Sequence, residues 1–179
     1  MNATGTSINS MPPQPMPPQR MPPQASVAEE WVAGFREGWR APSGPEAFVE
    51  HFRRFLAPDV RLIQPQLPTL VGHRAFEERF ARPLFELFDD LHGDVERWAA
   101  RADTLYIELT LRGVLAGRPL AWRVCDRVRL RDGLAVERES YFDPVPLLAA
   151  VARTPRAWPR FLRLRTRDLT NRIARSKEP

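Results

Sequence analysis

Cysteine and histidine are scarce in this sequence of 179 residues, which contains one cysteine and three histidines. A single thiol, Cys125, cannot form an intramolecular disulfide or a multi-cysteine metal site, so we expect a reducing compartment and no redox chemistry. The histidines, His51, His73 and His92, lack the His-x-x-x-His spacing that binds metal on one helix face. The sequence therefore predicts no metal site and no cofactor.

Long apolar runs and nucleotide-binding motifs are also missing. No segment approaches the roughly 18 to 20 apolar residues that a membrane span needs, and the first residues lack the charged and apolar regions of a secretory signal. We therefore expect a cytoplasmic protein. The sequence has no glycine-rich phosphate loop and no Gly-x-Ser-x-Gly elbow, so nucleotide and serine-hydrolase chemistry have no support.

Lysine is nearly absent, since Lys177 is the single lysine among 27 basic residues, a bias typical of GC-rich bacterial genomes. The net charge of +5 is concentrated near the C-terminus. Residues 153–179 contain eight arginines and one lysine against Asp168 and Glu178, which gives +7 and leaves −2 for residues 1–152. The larger part of the chain is therefore mildly acidic, and its charge gives no reason to expect nucleic-acid binding.

The basic tail, residues 154–179, has a stripe of apolar residues at helical spacing that begins with Trp158 and Leu162 and ends with Leu169 and Ile173. The tail is expected to be helical. Its arginines suit an anionic membrane surface, nucleic acid or the acidic surface of the chain itself. A solvated helix, or one packed on the domain, is the alternative, and the tail has no specific nucleic-acid motif.

Proline is abundant at the start of the chain, where three imperfect Met-Pro-Pro-Gln units begin at Met11, Met16 and Met21. A segment of this kind cannot bury a core and favours solvated polyproline II structure. Residues 1–26 are therefore predicted to be a disordered extension. A docking peptide for a proline-binding partner is the alternative.

Residues 27–153 carry the patterns of one α+β domain. Three helices are predicted first: one over Val27–Trp39, one that begins at Pro45 and ends before Pro58, and one that Gly72-His73-Arg74-Ala75 opens and whose apolar positions run from Phe76 to Phe88. A short strand with Val60 and Leu62 precedes the third helix, which Pro83 is expected to kink. The remaining segments predict an antiparallel meander, curved around the helices into a cone-shaped barrel. These extended segments are residues 94–102, 104–116, 119–131 and 134–142.

Short motifs accompany this order of elements. They are Ala57-Pro58-Asp59-Val60, Gly72-His73-Arg74-Ala75, Arg131-Asp132-Gly133 and Tyr141-Phe142-Asp143-Pro144. With these motifs, residues 27–150 resemble the SnoaL-like branch of the nuclear-transport-factor-like superfamily. The resemblance implies a cone-shaped α+β barrel, often a homodimer. It also implies a pocket for a small, largely apolar molecule of polyketide, steroid or terpenoid type.

Function stays open, because the superfamily includes isomerases, cyclases, epoxide hydrolases and non-catalytic binding domains. The first hypothesis is an enzyme that performs cofactor-free proton transfer for isomerisation, cyclisation or hydrolysis. The second is a non-catalytic ligand-binding or dimerising accessory domain. The third is an adaptor whose basic tail recognises the partner.

Two better-defined members of the superfamily fit the residues poorly. Limonene epoxide hydrolase carries an arginine and two aspartates at strand positions that look like Glu108, Thr110 and Ser140 in this sequence. The carboxylate pair that activates water in that enzyme is therefore missing here. Ketosteroid isomerase uses a helical tyrosine, whereas Tyr106 and Tyr141 lie on predicted strands.

Asp126 is the most unusual residue, because alternation along residues 119–131 places it on the inward face between Val124 and Val128. On the last strand Arg138 and Ser140 also point inward. Asp126 and Arg138 form either a structural ion pair or a catalytic pair, with Asp126 as general acid or base and Arg138 as an oxygen clamp. A register slip of one residue would turn all of them outward.

The remaining candidates for ligand contact are aromatic or lie on the strand over residues 104–116. Trp39, Trp122 and Phe142 are candidates for the pocket wall, although core packing accounts for most such residues. The resemblance places Glu108 and Thr110 toward the pocket, whereas the leucines beside them look like a core face. Both hold if a second subunit covers the apolar face, which predicts a homodimer.

Overall fold

The computed structural model of the protein describes residues 26–163. The predicted N-terminal extension, apart from Ser26, and residues 164–179 of the basic tail lie outside this range. The helical elements are α1 (Val27–Arg40), α2 (Pro45–Arg53), α3 (Gly72–Phe76), a π-helical turn (Glu77–Ala81), α4 (Arg82–Leu87), α5 (Val145–Ala152) and a 3-10 turn (Pro155–Ala157). The strands are β1 (Leu56–Ile63), β2 (Leu70–Val71), β3 (Asp89–Arg101), β4 (Thr104–Leu115), β5 (Arg118–Arg131) and β6 (Leu134–Tyr141).

Helix α1 begins with a reciprocal cap. The Glu29 N–H donates to the Ser26 hydroxyl oxygen, and the Ser26 N–H donates to the Glu29 carboxylate, which satisfies two N-H groups that the first turn leaves unpaired. Buried aromatic residues four apart, Trp31, Phe35 and Trp39, form one face that packs on the sheet. The predicted first helix is confirmed.

Helix α2 ends at Arg53, earlier than the sequence suggests, and Pro58 lies within β1. A proline is tolerated there because the pairing of β1 with β6 skips from Leu56 to Arg61, so Pro58 has no ladder hydrogen bond to lose. The expectation that Pro58 stops the second helix is therefore wrong.

The third predicted helix is a helical segment with a wide turn in its middle. The Arg82 N–H donates to the Glu77 carbonyl, five residues back, and Pro83 has no N–H to offer the carbonyl four residues back. A π-helical turn thus precedes Pro83, and the kink at Pro83 stays a prediction. The helix ends at Leu87, and β3 begins at Asp89, five residues before the predicted strand.

One open six-stranded sheet forms the other layer, in the order β2-β1-β6-β5-β4-β3. Strands β3 to β6 form the predicted antiparallel meander, whereas β1 pairs in parallel with β6. Irregular pairing in β3, and between Arg129 and Leu130 in β5, adds local twist. The predicted α+β class with a curved, mostly antiparallel sheet is confirmed. The sheet is not closed into a barrel.

Strand β4 corrects one of the expectations. Leu105, Ile107 and Leu109 are at most 1% exposed in the core beneath the helices, whereas Tyr106 lies on the outer face and is 47% exposed. The apolar face of β4 is thus covered within the chain, and the argument that a second subunit covers it is wrong. The homodimer stays a prediction without that support.

Among the helices in residues 26–163, none has the length and apolar character that spanning a membrane requires.

Candidate ligand-binding site

A cavity of about 730 Å³ lies between the sheet and the helices that follow Glu77. This volume is within the range of about 300 to 1,000 Å³ that small-molecule sites occupy. Its wall is largely apolar, with one buried guanidinium and one buried hydroxyl. The sheet contributes Leu111, Trp122, Val124, Arg138, Ser140 and Phe142; α4 and the π-helical turn contribute Phe80, Leu84 and Leu87; the C-terminal segments contribute Leu147, Leu148, Val151 and Phe161.

Strand alternation places the polar side chains of the site. Asp126 on β5 lies opposite Ser140 on β6, and Arg138 is two residues before Ser140 on the same inward face. All three are buried, with exposures of 0% for Asp126, 7% for Arg138 and 5% for Ser140. The predicted inward faces of β5 and β6 are therefore confirmed, and no register slip occurs.

The Asp126 carboxylate has both oxygens engaged. Nε of Arg138 donates to Oδ2 at 2.8 Å, and the Ser140 hydroxyl donates to Oδ1 at 2.6 Å. Asp126 is not part of the cavity wall, since Arg138 and Ser140 lie between it and the cavity. The geometry matches the ion-pair interpretation, and Asp126 contacts a bound molecule only through these two neighbours.

Arg138 has donors left over after this contact. Within residues 26–163, its terminal nitrogens Nη1 and Nη2 have no hydrogen-bond partner. The guanidinium carbon lies 5.2 Å from the centroid of the Phe80 ring, a distance at which a cation and an aromatic face attract each other. Arg138 is thus fixed by Asp126 and Phe80, and its fork of N–H groups remains available at the cavity wall.

Arg82, a half-exposed residue of the cavity wall, pairs with two carboxylates. Arg82 donates to Glu77 at 2.8 Å and to Glu46 at 2.8 Å. The hydrogen bond from Arg82 lowers the pKa of the Glu77 carboxyl, against the opposing effect of burial. The charge on Arg82 is therefore balanced by carboxylates at the surface, whereas the charge on Arg138 is balanced by one buried carboxylate, that of Asp126.

Three predicted contact residues lie away from the cavity. Glu108 is on the outer face of the sheet, where it pairs with Arg97 at 2.9 Å. The Thr110 hydroxyl donates to Glu96 at 2.5 Å on the same face, and this bond lowers the pKa of Glu96.

Trp39, on α1, is fully buried, and its ring centroid lies 4.8 Å from that of Phe48 on α2. The placement of Glu108 and Thr110 that came from the resemblance is wrong, because β4 turns its apolar residues inward. Trp39 belongs to the core.

Two of the histidines have hydrogen-bond partners on other elements. Nε2 of His51 donates to the Gly34 carbonyl at 2.8 Å, and Nε2 of His73 donates to the Leu56 carbonyl at 2.9 Å. These bonds fasten α2 to α1 and the start of α3 to β1. In residues 26–163 no group of three side chains is arranged to hold a metal ion.

The C-terminal wall of the cavity is the part that the sequence reasoning missed. Thr154 and Ala157 are buried, and Phe161 lines the cavity, although the sequence indicates a boundary near residue 153. The signal was the apolar run Val145–Ala152, which forms α5 and packs against the following turn. The arginines of the tail lower its mean hydropathy, so the sequence does not indicate that residues such as Phe161 pack against the domain.

Comparisons with known proteins agree with this fold. Residues 29–138 match the family model of the SnoaL-like domain, and no curated protein sequence matches significantly. The structure of a proposed SnoaL-like polyketide cyclase from Jannaschia sp. CCS1 has a TM-score of 0.64 and 22% identity, over 76% of this chain and 99% of that chain.

Two further solved structures are similar. For IdmH, a proposed polyketide cyclase from Streptomyces antibioticus, the TM-score is 0.58 and the identity 20%, over 70% of this chain and 98% of that chain. For an LEH-like epoxide hydrolase from Mycobacterium tuberculosis, the TM-score is 0.57 and the identity 16%, over 76% of this chain and 97% of that chain. Identities this low establish a common fold and no common activity. Because the family model covers more than half of the sequence, the chain belongs to the SnoaL-like domain family.

Proposed function

We propose that the cavity binds a small, largely apolar molecule of polyketide, steroid or terpenoid type, and that Arg138, beside Ser140, donates to an oxygen atom of this molecule. The observation that carries the proposal is the guanidinium of Arg138, held by buried Asp126 and with two nitrogens still unbound in the described residues. Such a donor beside an apolar cavity of about 730 Å³ suits a ligand with one polar end.

The electrostatics favour a carbonyl, enolate or phenolate oxygen. A charge-assisted hydrogen bond from Arg138 is stronger in an apolar cavity than in water, because the local dielectric constant is low. Asp126 makes the buried pair neutral overall, so the site is a directional donor rather than an isolated positive charge. This neutrality is what allows Arg138 to stay buried before a ligand arrives.

The same three residues supply a route for cofactor-free proton transfer. A proton leaves a carbon next to the ligand carbonyl and passes to Oγ of Ser140, while the hydroxyl proton of Ser140 passes to Oδ1 of Asp126. The electron pair of the broken C–H bond moves to the ligand oxygen, to which Arg138 donates. The distance of 2.6 Å between Ser140 Oγ and Asp126 Oδ1 supports this route. Asp126 then acts through Ser140 and not by direct contact.

A non-catalytic ligand-binding domain is the second candidate function. The observation that favours it is that Asp126 already accepts two hydrogen bonds and does not line the cavity. A carboxylate in this position accounts for the orientation of Arg138 without any reaction.

Ligand identification and hydrogen exchange separate the two candidates. Native mass spectrometry of the purified protein is expected to show a bound apolar molecule. In deuterium oxide, an enolisable bicyclic ketone such as β-tetralone tests proton transfer. If the route exists, the wild-type protein accelerates deuterium uptake, and Ser140→Ala slows it by about a hundredfold or more with ketone binding retained.

The matched control is Thr110→Ala, which removes a buried hydroxyl on the opposite face of the sheet. Its rate of deuterium uptake is expected to equal that of the wild type. Ketone binding without any acceleration by the wild type would leave the non-catalytic candidate. Absence of both binding and a co-purified molecule would contradict the binding function itself.

A further inference from the structure

Exposed apolar side chains border the mouth of the cavity. Helix α5 exposes Val145 and Leu148, and the helical residues 158–163 expose Trp158 and Leu162. These four residues, called the mouth patch here, are half of the eight large apolar side chains that are exposed in residues 26–163. Exposed apolar side chains that cluster on a protein surface indicate a site that binds a ligand, another protein or a membrane.

The mouth patch is continuous with the cavity. Leu148 lines the cavity and is 36% exposed, so it lies at the opening. Nε1 of Trp158 donates to the Val151 carbonyl at 3.0 Å, which ties the two patch segments together. Phe161, which lies between Trp158 and Leu162 in sequence, lines the cavity wall. The patch therefore lies beside the part of the cavity wall that Leu148 and Phe161 form.

The segment that carries the patch has charge of one sign. Residues 144–163 contain four arginines and no acidic residue. Arg153 and Arg156 are exposed, and Arg160 reaches Asp89 at 3.3 Å. Residues 164–179 add four further arginines and one lysine against two acidic residues, whereas residues 1–152 carry −2. Residues 144–163, which carry the mouth patch, thus have a charge of +4 from four arginines and no acidic residue, which favours a negatively charged partner.

We propose that the mouth patch and its arginines dock the protein on an anionic phospholipid surface. Val145, Leu148 and Leu162 would enter the boundary between headgroups and acyl chains, Trp158 would lie at the headgroup level, and the arginines would bind lipid phosphates. Nucleic acid fits less well, because aliphatic side chains gain nothing against a phosphate backbone.

Docking also gives a reason for an apolar opening beside an apolar cavity. A polyketide, steroid or terpenoid partitions into the bilayer, and a docked mouth allows it to pass into the cavity without crossing water. This consequence rests on the proposed function, whereas the docking itself does not. The two are therefore tested with separate variants.

The test is co-sedimentation of the full-length protein with vesicles of phosphatidylcholine alone or mixed with phosphatidylglycerol. The wild type is expected to bind the anionic vesicles and to dissociate at high salt. The double variant Arg153→Gln/Arg156→Gln is expected to bind about 25-fold more weakly, at about fivefold for each arginine near the surface. Val145→Ser/Leu162→Ser is expected to weaken binding to the anionic vesicles by a similar factor.

Two matched controls carry the same changes elsewhere on the surface. Arg101→Gln/Arg118→Gln removes two exposed arginines from the hairpin ends of the sheet, and Val27→Ser/Val71→Ser removes two exposed valines. Both controls are expected to bind anionic vesicles as the wild type does. Ser140→Ala is also expected to bind them normally, so a failure of the ligand hypothesis remains distinguishable from a failure of docking.

Several outcomes would overturn the proposal. One is equal binding to neutral and anionic vesicles, and another is equal loss in the patch variants and the controls. Unchanged binding of both patch variants would assign the affinity to residues 164–179 alone. If the wild type does not bind vesicles and light scattering shows a dimer that Val145→Ser/Leu162→Ser converts to a monomer, the patch is an interface between copies of this chain.

Discussion

The buried pair of Asp126 and Arg138 allows a double-mutant test of the site. Asp126 is 0% exposed and Arg138 is 7% exposed, so removal of one partner leaves the other charge buried without compensation. Breaking such a pair costs about 3 to 5 kcal/mol. Asn at position 126 still accepts one hydrogen bond, so we expect Asp126→Asn to cost about 3 kcal/mol, which lowers the Tm by about 10 °C.

Replacing both partners with apolar residues is expected to have a much smaller effect. Arg138→Met alone should cost about 3 to 5 kcal/mol, whereas Asp126→Leu/Arg138→Met leaves no buried charge and should lie within about 1 kcal/mol of the wild type. The double variant should nevertheless lose the bound ligand, because its oxygen no longer meets a guanidinium. Stability and binding would then be separated in one protein.

Urea unfolding followed by circular dichroism measures the stabilities, and native mass spectrometry measures ligand occupancy. Single variants that lie within about 0.5 kcal/mol of the wild type would show that the buried pair does not form. A double variant with full ligand occupancy would refute the role of Arg138 in binding.

Four further predictions concern other parts of the chain. Since the pKa of Glu77 is lowered from 4.5 by its arginine partner, its stabilisation is present above that pH and is lost as the pH falls; Glu77→Gln should therefore flatten the fall of Tm in acid. Burial raises the pKa of the Cys125 thiol from 9.0, so iodoacetamide should react more slowly with the native protein than with the unfolded chain near pH 9. Gly34→Ala should cost about 1 to 3 kcal/mol in urea unfolding, because its Cβ would lie 2.1 Å from the Phe55 ring; an unchanged midpoint would mean that the ring moves aside freely. A homodimer through the outer sheet face would bury Tyr106, so Tyr106→Arg should weaken association in light scattering, and a wild type that is monomeric at micromolar concentrations would contradict the dimer.

Local patterns predicted the strand faces well, and Asp126 shows where such patterns stop. Alternation of period two places Asp126 inward, which is correct. Alternation does not show how far an inward side chain lies from the cavity, because that distance depends on which neighbouring side chains lie between them. Arg138 and Ser140 cover Asp126 only once β6 pairs with β5 in the observed register. The sequence therefore identified the cluster but not which members reach the cavity.

The errors arose where a distant comparison or a long-range contact decided the structure. For Glu108 the alternation of leucines on β4 was the better guide, and the likeness to limonene epoxide hydrolase misplaced it. Pro58 looked like a helix stop because its tolerance in β1 depends on a pairing irregularity opposite β6. Phe161 was assigned to a separate tail, since charge in a sequence does not reveal which side chains pack.

The parallel pairing of β1 with β6 also bears on how the chain matures. About 70 residues separate the end of β1 from the start of β6, so this contact closes a long loop, whereas β5 and β6 are joined by a short hairpin. On the ribosome, β1 emerges several seconds before its partner, at about 5 to 20 residues per second. Through that interval the edge of β1 that pairs with β6 has no strand beside it, although β2 follows on the other edge, so this edge of β1 is exposed to aggregation during synthesis.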